Sequence, residues 1–194
     1  IICTPAKSYY ENQEIWVKIE EKFSRAAKGG VGYAKASGNY AAQFYPTKIA
    51  KDEGYQQIIW TDSNNHSKIE EAGTMNLFFR INDILITSPA SDSILDGITR
   101  KSIIEISKSM GLKVLERDIT VSELLNAYKS GELKEIFGTG TAVAVLPING
   151  FGYRNKKFLI DYKKNQISIR LKSKLQDIQY AKTKDFIEWQ YKIS

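Results

Sequence analysis

Gly29-Gly30-Val31-Gly32-Tyr33-Ala34-Lys35-Ala36-Ser37-Gly38-Asn39-Tyr40 is the stretch on which the fold turns. Glycine lacks a side chain and tolerates backbone angles closed to other residues, so such a run lets main chain approach a bound molecule closely. A lysine within it, followed five positions later by the phenol of Tyr40, predicts an amine held in a cleft. Desolvated there, the amine loses basicity and serves as nucleophile and base.

Outward from this loop the chain reads as mixed α and β. Ile1–Thr4 and Ile15–Ile19 are expected strands, separated by a polar turn around Asn12. Tyr40–Asp52 is helix-like and stopped by Gly54, with Pro46 kinking it or marking its first turn. Gln57–Thr61 reads as a buried strand, and Leu77–Ile81 with Ile84–Thr87 as a hairpin across Asn82-Asp83. Thr99–Met110 is an amphipathic helix closed by Gly111, with Ile103, Ile104 and Ile106 on its apolar side. Lys113–Arg117 is a further strand. Thr120-Val121-Ser122-Glu123 has the form of a capping box and opens a helix to about Ser130. Phe137 and Val143–Ile148 are strand-like around a Gly-Thr-Gly-Thr turn, and Arg154–Lys157 looks like a hairpin tip. A helix over Ile167–Ala181 should turn Ile169, Leu171 and Leu175 inward, with Trp189 and Ile193 in a docked tail. The predicted class is α+β, a mixed or antiparallel sheet or pseudo-barrel packed with helices.

With 194 residues, 42% hydrophobic and 26% charged, the chain can bury a real core as one large domain or two small ones. Its net charge of +6 is dispersed among acids along the whole sequence, which argues for solvated surface and against a nucleic-acid partner. No stretch approaches the roughly 18 apolar residues of a membrane span. Cys3 is the single cysteine, so no internal disulfide forms and the cytoplasm is the default compartment. His66 is the single histidine, in a polar turn, and no metal site is expected. The chain opens on Ile1, already strand-like, which predicts a piece of something longer.

Four loops have the chemistry of a site. Besides the Lys35 loop they are Ile69–Asn76 (IEEAGTMN), Leu95–Arg100 (LDGITR) and Phe137–Ala142 (FGTGTA). The last two suit anions. Main-chain N–H groups at a helix start carry partial positive charge, so Gly97, Ile98 and Thr99 can cradle a phosphate, and the later turn adds N–H groups and the Thr141 hydroxyl.

Taken together, GGVGYAKASGNYAA, EEAGTMNLFF, LDGITR and FGTGTA resemble the branched-chain-amino-acid aminotransferases, fold type IV pyridoxal-phosphate enzymes, in that family's order and spacing. The resemblance covers essentially the whole chain, as the family's larger, cofactor-binding C-terminal domain (1–194); the smaller N-terminal domain is absent. It implies that Lys35 bonds to the cofactor pyridoxal 5′-phosphate and later moves the substrate proton. It also implies that Tyr40 hydrogen-bonds the cofactor's phenolic oxygen and that Glu71 faces the pyridine nitrogen. Thr74 lies beside the ring, and Gly97, Ile98, Thr99 and Thr141 hold the phosphate. The N–H groups of Thr141 and Ala142 receive the substrate carboxylate. The resemblance places the ring-facing carboxylate two residues before the glycine, which is Glu71. Strand neighbours face opposite ways, so only one of the two acids can reach the ring, and Glu70 is expected at the surface.

The GTMN form resembles the branched-chain group, implying L-leucine, L-isoleucine and L-valine as amino donors with 2-oxoglutarate, and a homodimer at full length. Val143 and Leu146 stand where some members carry a redox cysteine pair, so no thiol switch is expected. Without the N-terminal domain's contacts to the phosphate, weak cofactor binding and poor turnover are expected of the chain alone. Two other readings stay open: another fold type IV enzyme (a D-amino-acid transaminase or aminodeoxychorismate lyase), or a non-catalytic module.

Overall fold

Apolar residues concentrated in Val17 and Ile19 and in the run Ile58-Ile59-Trp60 build the centre of the first sheet, where side chains on both faces are buried. The computed structural model of the chain describes residues 15–161, 166–183 and 189–191. The expected strand Ile1–Thr4 and the position of Ile193 lie outside them. Six strands form the first sheet: β1 (Trp16–Ile19), β2 (Gln57–Thr61), β3 (Lys68–Ala72), β7 (Ile119–Thr120), β10 (Gly150–Tyr153) and β11 (Lys156–Leu159), in the order β11-β10-β1-β2-β3-β7. β1 runs parallel to both of its neighbours, and the remaining pairs are antiparallel.

The second sheet has five strands, β4 (Asn76–Ile81), β5 (Ile84–Thr87), β6 (Lys113–Glu116), β8 (Leu133–Gly140) and β9 (Ala144–Pro147), in the order β6-β5-β4-β8-β9. β5 and β6 pair in parallel across the crossover helix α3 (Ile98–Ser109), as a parallel pair requires a long return path. The architecture is therefore two mixed sheets with helices, within the α+β class expected.

One apolar cluster joins the two sheets, with Val17, Ile59 and Ile69 from the first and Leu77, Phe79 and Ile136 from the second. Strand alternation then sends Phe78 and Phe137 to the opposite face of the second sheet. There they stack with centroids 5.1 Å apart and share a cluster with Ile103, Ile104, Ile106 and Leu171 of the helices. In α5 (Ile167–Gln179) the inward residues are Ile167, Leu171, Leu175 and Ile178, while Ile169 is 43% exposed. The expectation for Ile169 fails because it lies about 200° around the helix from Leu171, off the buried stripe. Trp189 is also exposed.

The other departures are local. Tyr40–Asp52 is two helices, α1 (Ser37–Ala41) and α2 (Phe44–Asp52), and Pro46 sits in the first turn of α2, where its missing N–H needs no partner. Gly138, Thr139 and Gly140 are the end of strand β8, not a turn; the reversal comes at 141–143. Ile69–Asn76 is likewise the end of β3, a tight turn and the start of β4. In α4 (Val121–Lys129), the Thr120 hydroxyl accepts from the Glu123 N–H at 3.0 Å. The Glu123 carboxylate, however, pairs with Arg117 instead of completing the box.

Glu135 of β8 is fully buried and ties this sheet to α5. It accepts from Ile167 N (2.9 Å), Ser168 N (3.0 Å), Ser168 Oγ (2.7 Å) and Arg80 Nη1 (3.3 Å). The positive end of the helix meets a carboxylate that has no access to water. Glu135→Gln keeps the shape and removes the charge. The expected loss is about 2 kcal/mol, read as a melting midpoint roughly 4–8 °C lower in a chain of this size.

Candidate active site

The chain passes from one sheet to the other at Gly73-Thr74-Met75, and a cavity of about 210 Å³ lies at that crossing. Lys35, Tyr40, Glu71, Thr74, Gly97, Ile98, Thr99 and Thr141 all line it, together with Asn76 and Thr139. Segments more than a hundred residues apart in sequence thus meet around one space. Ala142 is not part of its lining; it is exposed in the turn after Thr141.

Lys35 reaches the cavity from a fastened loop. Asn39, buried at the start of α1, donates from Nδ2 to the carbonyls of Val31 and Ala34, both at 2.8 Å. Gly32 packs so tightly against the 92–93 backbone that an added Cβ would lie 2.7 Å from the Asp92 carbonyl. The amine itself is exposed at the cavity's edge, where the sequence predicted an enclosed one; its loop runs over the surface. Tyr33 is exposed as well and is not among the lining residues.

Glu71 is held at every point. Arg25 Nη2 lies 3.0 Å from Oε1, and the two side chains are 3% and 7% exposed. Oε2 accepts from the Leu95 N–H at 3.1 Å and from Asn76 Nδ2 at 3.2 Å. Burial pushes the Glu71 carboxyl up to about 7, against the opposing pull of Arg25 and the Leu95 N–H. A carboxyl poised near neutrality can hold a proton for a neighbouring base or release it. Arg25 also donates to the carbonyls of Gly32 and Ser93, so one guanidinium ties the acid to the lysine loop.

Glu70, expected at the surface, is 8% exposed. It does point away from Glu71, but β3 is covered on both faces, and the Ser93 hydroxyl hydrogen-bonds it there. Burial raises its carboxyl above the ordinary range, with Arg25 pulling the other way.

Close to the acid, on the far side of its partner Asn76, α3 begins at Gly97 without a side-chain cap among the described residues, and Gly97, Ile98 and Thr99 line the cavity with the helix's first N–H groups. A Cβ on Gly97 would fall 2.1 Å from Asn76 Oδ1, so only glycine lets the helix start this close to β4. The cavity therefore offers an amine, a clamped acid, a phenol and a nest of main-chain donors suited to an anion.

Sequence reasoning missed Arg25, Asn39, Asn76 and Thr139. Asn76 sat inside the quoted GTMN motif and was open to discovery. Arg25 carries no local sign of burial, because its partner lies 46 positions away in the chain. His66 is partly buried, with Nδ1 2.8 Å from Thr61 Oγ1, away from the cavity lining. No helix among the described residues is long and apolar enough to cross a membrane.

The amino-transferase class IV family model matches residues 3–151, well over half of the chain. A probable branched-chain-amino-acid aminotransferase of Staphylococcus epidermidis is 37% identical over 197 residues, covering 100% of this chain and 55% of the relative. The crystal structure of the branched-chain aminotransferase of Thermoproteus uzoniensis with norvaline superposes with a TM-score of 0.81 and 25% identity. It covers 96% of this chain and 58% of that one. The Thermobaculum terrenum branched-chain aminotransferase in its PLP form has a TM-score of 0.75 at 22% identity, over 89% of this chain and 53% of that one, a likeness of fold. The chain spans about half the length of the relatives it matches. Matched family residues and shared fold agree, and the chain belongs to the class IV aminotransferase family.

Proposed function

We propose that residues 1–194 are the cofactor-bearing part of a branched-chain-amino-acid transaminase. It uses pyridoxal 5′-phosphate to move amino groups between L-leucine, L-isoleucine or L-valine and 2-oxoglutarate. The observation that carries this reading is the convergence of Lys35, Tyr40, Glu71 and the uncapped start of α3 on one cavity. The residues fit the cofactor: the α3 N–H groups with Thr99 and Thr141 match a phosphate, Glu71 a pyridine nitrogen, and Lys35 an aldehyde carbon. Bound there, the cofactor supplies a carbonyl and an electron-accepting ring.

The chain's own residues do the rest. Lys35 Nζ would hold the cofactor at its aldehyde carbon and, as a base, would carry the proton to and from the substrate carbon. The Tyr40 hydroxyl steadies the ring oxygen. Glu71 holds a proton at the ring nitrogen, and Arg25 fixes the orientation of that carboxyl. Thr74 flanks the ring, and Thr141 and Ala142 supply N–H groups to the substrate carboxylate; a carboxylate reaching past Thr141 would meet the Ala142 turn at the surface. The full-length protein is taken as a cytoplasmic homodimer that binds neither nucleic acid nor membrane, with its N-terminal part completing the phosphate and side-chain contacts.

The test adds pyridoxal phosphate in excess to the chain, reduces with borohydride and maps the labelled peptide. A label on Lys35, together with amino transfer from L-leucine in preference to D-alanine, is the expected result. A label elsewhere favours the non-catalytic module, and preference for D-alanine or for aminodeoxychorismate moves the chain to another fold type IV activity. Losing one charge-assisted phosphate contact lowers affinity by about 10- to 200-fold, so weak binding is expected. Tight stoichiometric binding with normal turnover would contradict a role for the N-terminal part.

A further inference from the structure

Thr139 is the one residue lining the cavity whose buried side-chain oxygen has no hydrogen-bond partner among the described residues. The residue is 1% exposed. A buried hydroxyl without a partner is unfavourable, and native structures keep few of them. Its surroundings say what is missing. Thr139 stands directly across the β4–β8 ladder from Asn76. The Asn76 side chain lies against the Gly97 backbone, at the uncapped start of α3. Two positions further along the chain Thr141 lines the same cavity. Asn76 joins the start of α3 to Glu71, so the unpartnered hydroxyl across from it stands near both, and the main-chain donors of Gly97, Ile98 and Thr99 line the same space.

We propose that Thr139 Oγ1 is a phosphate-binding hydroxyl, donating its proton to a phosphate oxygen of the bound cofactor alongside the N–H groups of α3. The proposal rests on the pyridoxal-phosphate reading above and adds a donor to it. It gives the unpaired atom a reason: the site carries an unfavourable group in the free protein and satisfies it on binding. Thr99 and Thr141 differ, being partly or fully exposed and able to use water when the site is empty of ligand.

The two states make opposite demands on the same atom, and that gives the test its discrimination. Thr139→Val and Thr139→Ser are compared with the unaltered chain in thermal melts without ligand, and in titrations with pyridoxal phosphate, pyridoxal and inorganic phosphate. Phosphate binding is followed by phosphorus NMR and cofactor binding by absorbance. Thr139→Val should melt no lower than the unaltered chain, because it removes a polar atom that had no partner. It should bind pyridoxal phosphate and inorganic phosphate about 10-fold more weakly or worse, with unchanged affinity for pyridoxal, which lacks the phosphate. Thr139→Ser should restore both phosphate affinities.

Equal weakening toward pyridoxal would place the hydroxyl at the ring and overturn the proposal. So would unchanged phosphate affinity in Thr139→Val, a lowered melt with unchanged binding, or no phosphate binding by the unaltered chain. Absence of a borohydride-fixed label on Lys35 strikes the functional reading itself. A normally labelled Lys35 with an indifferent Thr139→Val strikes only Thr139.

Discussion

Lys35→Ala should abolish the borohydride-fixed label and lower leucine-dependent amino transfer by at least about 10³-fold, the scale of losing a positioned acid–base group that is also the nucleophile. Stability should scarcely change. Lys35 is exposed, and the bonds that shape its loop are made by Asn39 and Arg25, not by the lysine. Surface substitutions of this kind fall within about 0.5 kcal/mol, so the melting midpoint should stay within a degree or two. That separation gives the measurement its force, since lost activity cannot then be assigned to unfolding. Lys35→Arg should be equally inactive, because a guanidinium stays protonated and does not attack a carbonyl. Turnover retained in either variant would remove Lys35 from the chemistry.

Glu71→Ala should be the most destabilising single change at the site. It leaves the Arg25 guanidinium, only 3% exposed, with its carbonyl partners but without the carboxylate that pairs with it at 3.0 Å. Breaking a buried pair from one side costs about 3–5 kcal/mol. Glu71→Gln retains an acceptor for Asn76 and Leu95 and separates the charge from the shape. Its distinctive readout is pH. Burial pushes the Glu71 carboxyl up to about 7 in the folded chain, from an ordinary value of 4.5. The folded state therefore holds this proton more tightly than the unfolded state does. Stability from this group is fully present below about pH 4.5 and is lost as pH rises through about 7, by roughly 3 kcal/mol in all. The buried Glu70, raised in the same direction, adds to the trend. Urea unfolding at pH 5, 6, 7 and 8 should show a decline in the unaltered chain that is markedly flatter in Glu71→Gln. Parallel pH profiles would mean that Glu71 is ionised throughout and holds no proton near neutrality.

Much of the chain was legible because the governing physics is local. The apolar spacing of Ile103, Ile104 and Ile106 gave α3, Thr120 gave the cap of α4, and Asn82-Asp83 gave the β4–β5 hairpin. The site motifs were legible as an ordered set. What failed were inferences that extended a local rule to surroundings it does not describe. Glycines in Gly138-Thr139-Gly140 read as a turn, yet pairing with β4 and β9 on either side holds them as strand. Glu70 read as surface because alternation tells which way a side chain points, not what covers it.

By itself the sequence determined which loops hold the residues that line the cavity and most of the helices and strands that present them, since spacing, capping and turn residues act within a few positions. Only the tertiary structure decided that Arg25 meets Glu71, that Glu70 is buried and that the Thr139 hydroxyl has no partner among the described residues. Each of these depends on which strands become neighbours and what packs over them. Burial and pairing arise between segments far apart in the chain, and no local pattern of residues encodes the dielectric or the partner they will find there.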